Sequence, residues 1–218
     1  MTFLERLLGP ARKSFVDKRD GHQYSTIRIG GQVWMAENLA YIPRVSPCHE
    51  QGGIWVYGHE TEDVDCARAT DEYRRFGCLY DHKTALSLCP RGWCLPTRAD
   101  FERLLDAAGG STYEQRWRTY TALREGGDLL FNAGLGGSRK VLDSSRCGNS
   151  FVIGPSPEFS GIDCYGDWWA SDAGEYRHGL HPGKTVAPTL HVQLEDGGHF
   201  FVDAAPLEYG LSVRCIKK

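Results

Sequence analysis

At 218 residues, 41% of them hydrophobic, the chain can form one large domain or two small ones around an ordinary buried core. Lys plus Arg number 25 against 28 for Asp plus Glu, a formal charge of −3; no positive excess is left to neutralise phosphates, so nucleic acid is not an expected partner. No apolar run approaches the roughly 18 residues of a bilayer span, and the 8 cysteines are too sparse for a disulfide-built miniprotein yet many for a reducing cytosol.

The chain opens with Phe3, Leu4, Leu7 and Leu8 on one side of a short amphipathic helix that stops at Gly9-Pro10. Residues 1–14 are expected to be an N-terminal arm. Glu5 and Arg6 fall where a signal peptide keeps an unbroken apolar segment, so no export signal is read at Met1. From Phe15 onward there is no low-complexity linker and no fixed repeat, which predicts a single domain over 15–218.

Tyr24 to Ile29, the pair Gly30-Gly31 and Gln32 to Ala36 predict an opening hairpin. Residues 43–80 show neither the strand period nor the helix period and are expected to be mostly loop. Residues 80–88 predict a short helix. The firmest helix is 97–108: Thr97 and Asp100 form a capping arrangement, and Phe101, Leu104, Leu105 and Ala108 share one face ahead of Gly109-Gly110. A third helix with weaker phasing is expected over 113–124. After Gly126-Gly127 the pattern turns to short strands. Thr189 to Leu194, the turn Glu195-Asp-Gly-Gly198 and His199 to Asp203 predict a second hairpin. Leu211 to Ile216 alternates and is expected to return into the sheet, bringing the termini together.

Four stretches in this order carry a resemblance. They are Asp17-Lys-Arg-Asp-Gly-His-Gln-Tyr24 with Ile29-Gly-Gly-Gln-Val-Trp-Met-Ala-Glu-Asn-Leu39, Cys89-Pro-Arg-Gly-Trp-Cys-Leu-Pro96, Trp168-Trp-Ala-Ser171, and Leu211-Ser-Val-Arg-Cys-Ile-Lys217. Together they resemble the Fibrobacter succinogenes major paralogous domain over about residues 15–218. The resemblance implies an α+β, C-type-lectin-like fold of the branch that includes formylglycine-generating enzymes: two or three helices on twisted antiparallel sheets, with long loops. It also implies a bacterial envelope or secreted setting. Some members are similar to the variable proteins of diversity-generating retroelements, in which C-terminal positions are diversified for ligand binding.

The resemblance further implies a disulfide between Cys89 and Cys215. For the others the expectation is Cys48–Cys66, Cys78–Cys94 and Cys147–Cys164, among the 105 pairings that eight cysteines allow. Four bonds with no export signal would conflict unless a leader has been removed or replaced, which is the expectation adopted. Zinc is the rival reading, since Cys78, His82, Cys89 and Cys94 fall within 17 residues. Their spacing lacks the close pairs of structural zinc sites, and the implied disulfide takes Cys89.

No catalytic constellation stands out. The formylglycine-generating relatives use a late reactive cysteine pair, and after Cys164 only Cys215 remains. His178, His181, His191 and His199, near Asp196 and Asp203, supply groups for metal binding or proton transfer, but surface histidines on loops explain them as well. There is no nucleophile elbow, phosphate-binding glycine loop or His-Glu-x-x-His. Calcium-dependent sugar binding needs clustered oxygen ligands; the triplets that supply them are absent, and Trp169-Ala-Ser-Asp172 alone is underliganded. No cofactor is expected, with calcium left as an open alternative.

The remaining reading is a non-catalytic surface that binds a protein or glycan at a cell envelope or outside the cell. Trp169, Asp172, Tyr176, Arg177, His178, His181 and His191 are its candidate contacts, because aromatic and histidine side chains give rigid contact area. At least one of Trp168 and Trp169 is expected in the core. The alternatives are a retroelement-diversified receptor-binding protein and an oxidase on the formylglycine-generating scaffold.

Overall fold

The computed structural model describes residues 13–142, 156–175 and 184–218. It is an α+β molecule built mainly from antiparallel strands, with five helices among the described residues. The N-terminal arm, apart from its last two residues, lies outside the described residues. Lys13 and Ser14 already belong to a strand, β1 (Lys13–Val16), which pairs with β2 (Gln23–Ile29).

β2 and β3 (Gln32–Met35) form the expected opening hairpin. Gly30 and Gly31 turn it with φ of 58° and 82°, the left-handed pair that a two-residue turn between twisted strands requires. Next come β4 (Ile54–Trp55), α1 (Val64–Arg68), α2 (Asp71–Phe76) and β5 (Leu79–Tyr80), so the stretch expected to be mostly loop holds two short helices. Each is set by a cap: Asp63 accepts from the Asp65 and Cys66 N–H groups, and Thr70 from Tyr73 N–H. Helix α3 (His82–Leu88) starts at Asp81, and β6 (Trp93–Cys94) follows.

Helix α4 (Arg98–Ala108) forms where its pattern predicts. The Thr97 hydroxyl accepts from Asp100 N–H while the Asp100 carboxylate accepts from Thr97 N–H, a complete capping box. Its apolar face, Phe101, Leu104, Leu105 and Ala108, is buried. The third predicted helix is α5 (Arg116–Leu123).

The larger sheet contains β7 (Gly136–Leu142), β8 (Ser156–Ile162), β9 (Tyr165–Trp169), β10 (Gly174–Glu175), β11 (Thr185–Gln193) and β12 (His199–Pro206). β11 and β12 are the second predicted hairpin, joined through a 3₁₀ turn at Glu195–Gly197. β9 and β10 lie along the other edge of β11.

Alternation along β9, β11 and β12 sends side chains to two faces. Trp168, Leu190, Val192 and Phe200 face one core together with Phe101 and Leu104 of α4. Trp169, Ala187 and Ala205 face the other, which holds Tyr24, Leu39 and Tyr80.

The C-terminal segment joins the parts. Leu211 bridges to Tyr80, Ser212 exchanges backbone bonds with Asp167 and Trp169, and the Val213 and Cys215 carbonyls accept from Leu39 and Met35 N–H. The last strand, β13 (Ile216–Lys217), enters the first sheet between β3 and β6. Leu211, Val213 and Cys215 point into one core, as the alternation predicts, but Ser212 and Arg214 on the other side are buried too.

Candidate functional site

Three of the resemblance motifs meet at one buried amide. Asn38 Oδ1 accepts from Trp168 Nε1 at 2.7 Å and from Arg214 Nε and Nη2 at 3.2 and 2.5 Å. Its Nδ2 donates to Phe76 O at 2.9 Å and Ser212 Oγ at 3.3 Å. Arg214 lies over the rings of Phe131 and Trp168. The first motif is structural as well: the Asp17 carboxylate is buried and clamps Arg19, whose Nη1 donates to Leu88 O at 2.8 Å. These motifs specify the frame.

Cys89 and Cys215 form a disulfide that closes a sequence separation of 126 residues. Two of the other expected pairings, Cys48–Cys66 and Cys78–Cys94, are corrected. Cys48 is buried, its carbonyl accepting from Arg139 Nε at 2.8 Å, while Cys66 sits on the solvent side of α1, whose inward residue is Ala67. Cys78 is enclosed in the first core, where burial pushes its thiol up to about 12. Cys94 packs against the second core, because β6 sends Trp93 and Cys94 to opposite faces. Cys164 is an exposed thiol, and Cys147 lies outside the described residues. The four zinc candidates do not converge either: Cys89 is bonded to Cys215, and His82 Nε2 lies 2.9 Å from Ala170 O. Among the described residues no group of three His, Cys, Asp or Glu could hold a metal ion.

Trp169 is also corrected as a ligand contact. It is fully buried, its indole N–H donating to Tyr80 O at 2.7 Å, so both tryptophans of the Trp-Trp motif are core. Asp172 Oδ2 accepts from Arg98 N–H at 2.6 Å at the start of α4, which gives it a capping task. Tyr176, Arg177, His178 and His181 lie outside the described residues. The strands on either side of them pair at Gly174–Val186 and Glu175–Thr185. His191 is six residues along β11 from Thr185, about 20 Å at the usual strand rise.

His191 belongs to a polar and aromatic strip that the sequence reading did not assemble. Its register partners are Asp167 on β9 and Phe201 on β12. Nδ1 lies 2.7 Å from Asp167 Oδ1, and Nε2 lies 3.3 Å from Gln193 Oε1. Oxygens at both nitrogens suit the protonated ring. Burial presses the imidazole pKa down, but the hydrogen bond and charge of Asp167 outweigh it and leave the pKa raised. The ring stacks on Tyr165 at 5.7 Å and tilts against Phe201 at 4.8 Å, and His199 stacks on Phe201 at 5.2 Å. Lys140 Nζ lies 4.4 Å from the centre of the Tyr165 ring. His199 Nδ1 is buried with no hydrogen-bond partner among the described residues. The signal was the register of two predicted strands: His191, His199 and Phe201 are odd-numbered positions of one hairpin, and Tyr165 and Asp167 join them only once β9 pairs with it.

This strip can make aromatic contacts and polar bonds. Asp167 and Gln193 occupy both ring nitrogens of His191, so neither is offered to a nucleophile. The late cysteine that a formylglycine-type oxidation would need is buried and bonded.

No curated protein and no solved structure matches the chain. The model of the Fibrobacter succinogenes major domain matches residues 27–217, from within β2 to the last strand. The chain therefore belongs to the Fibrobacter succinogenes major domain family.

Proposed function

We propose that this is a non-catalytic, ligand-binding domain with a C-type-lectin-like fold, which presents the strip around His191 and the segment 176–183 to a protein or glycan at a cell envelope or outside the cell. The observation that carries this reading is the grouping of Tyr165, His191, His199 and Phe201 on one sheet face, half-buried, beside Asp167 and Lys140. Flat aromatic rings with a charged pair supply contact area at small entropic cost. The Cys89–Cys215 bond, in which Cys215 is fully buried, supports the same reading over the oxidase and favours an oxidising compartment.

The test is a glycan and surface-protein array probed with three forms: wild type, a His191→Ala/Phe201→Ala pair, and a Tyr176→Ala/His178→Ala/His181→Ala triple. A hit that either set weakens about tenfold or more, the size expected of contact residues, supports the reading. A hit that both sets leave unchanged places binding elsewhere, and oxygen-dependent turnover of a peptide cysteine would return the oxidase.

A further inference from the structure

The guanidinium of Arg214 is fully buried, yet it has no salt-bridge partner among the described residues; Glu37 acts on it only through longer-range attraction. Its hydrogen bonds run to neutral acceptors: Asn38 Oδ1, Phe131 O and Asn132 O. These take four of the five N–H donors and leave one on Nη1. Desolvation lowers its pKa to about 9. A buried cation without a counter-charge is costly, and this one lines a cavity of about 330 Å³, within the size range of small-molecule sites.

The charges around the cavity select its occupant. Arg74 and Arg75 on its wall are already paired, with Asp71 and Asp163. Glu37 accepts from Ser25 N–H at 2.7 Å and lies 3.6 Å from His22 Nε2. Glu125, exposed at the rim, has no ion-pair partner among the described residues. A second depression of about 180 Å³ shares Arg75 and Glu125, so the two form a continuing cleft.

We propose that this cleft binds a small, singly charged hydroxycarboxylate, its carboxylate directed to Arg214 and its hydroxyls to Glu125 and the Asn132 amide. The floor charge, met by the rings of Phe131 and Trp168 and by neutral acceptors but by no ion-pair partner among the described residues, fits one negative charge. Glu37 and Glu125 repel a dianion such as phosphate, and Glu125 accepts from hydroxyls that a simple fatty acid lacks.

The experiment follows the Arg214 Nε–Hε resonance by NMR while the protein is titrated with gluconate, with sorbitol, propionate and inorganic phosphate as controls. Gluconate is expected to move the resonance saturably and more tightly than any control. Two rim variants keep the test independent of the core: Asn132→Asp, which keeps the side-chain oxygen that accepts from Gly126 N–H but removes the amide donor, is expected to weaken gluconate about threefold, and Glu125→Arg to weaken its preference over propionate about threefold, the scale of an exposed polar or charged contact. The proposal is overturned if gluconate leaves the resonance unmoved at about 20 mM, well above a millimolar Kd. It is equally overturned if sorbitol, propionate or phosphate binds as tightly, or if both variants behave as wild type.

Discussion

At the residue scale, buried Asn38 and half-buried His191 each have their side-chain polar atoms satisfied by specific partners. Asn38 has every hydrogen-bonding position engaged and holds Trp168, Arg214 and Phe76 together. Asn38→Ala would strand an indole N–H, a carbonyl and part of a guanidinium, and is expected to cost about 3 kcal/mol in urea unfolding. Asp167 favours the charged form of His191, whose folded pKa is raised. Its contribution to stability is therefore complete below the unfolded pKa and is lost as pH rises through the folded one. The Tm advantage of wild type over His191→Gln is expected to be larger at about pH 5.5 than at about pH 8.5. A pH-independent difference would mean that the ring acts through packing alone. His22 and His82 are common to both proteins and drop out of the comparison. Neither environment was legible in the sequence, because Asn38 meets partners up to 176 residues away and His191 needs the register of three strands.

At the scale of elements, legibility followed length and local chemistry. Helix α4 runs for 11 residues with a capping box and a full apolar face, and the Gly30-Gly31 hairpin has turn chemistry that few other conformations accept. Helices α1 and α2 span 5 and 6 residues, too short for a period of 3.6 to register, although Asp63 and Thr70 are ordinary caps in hindsight. The cysteine pairings divided along the same line. Cys89 and Cys215 sit in motifs, whereas Cys78 and Cys94 look like partners in sequence and are kept apart by the sheet between the two cores. Protein denatured without reductant is accordingly expected to expose at least the five free thiols Cys48, Cys66, Cys78, Cys94 and Cys164; fewer would restore one of the other bonds. Reducing Cys89–Cys215, which closes a long loop, is expected to cost about 3–5 kcal/mol and to lower Tm accordingly.

At the scale of the whole molecule, motif residues and candidate contacts occupy different places. The motifs supply the Asn38 junction, the buried tryptophans, the disulfide and the C-terminal segment that ties three sheets together. The face carrying Tyr165, His191 and Phe201 belongs largely to residues outside them. That division makes the fold legible from motifs and leaves the ligand unread, since binding groups placed on a constant frame need leave no local pattern. Hydrogen–deuterium exchange on the complex with the best array ligand tests the division most directly. The account predicts added protection in β9, β11, β12 and residues 176–183, with α3 and the segment around Cys89 unchanged. Protection confined to residues 82–108, with the sheet face unaffected, would contradict it.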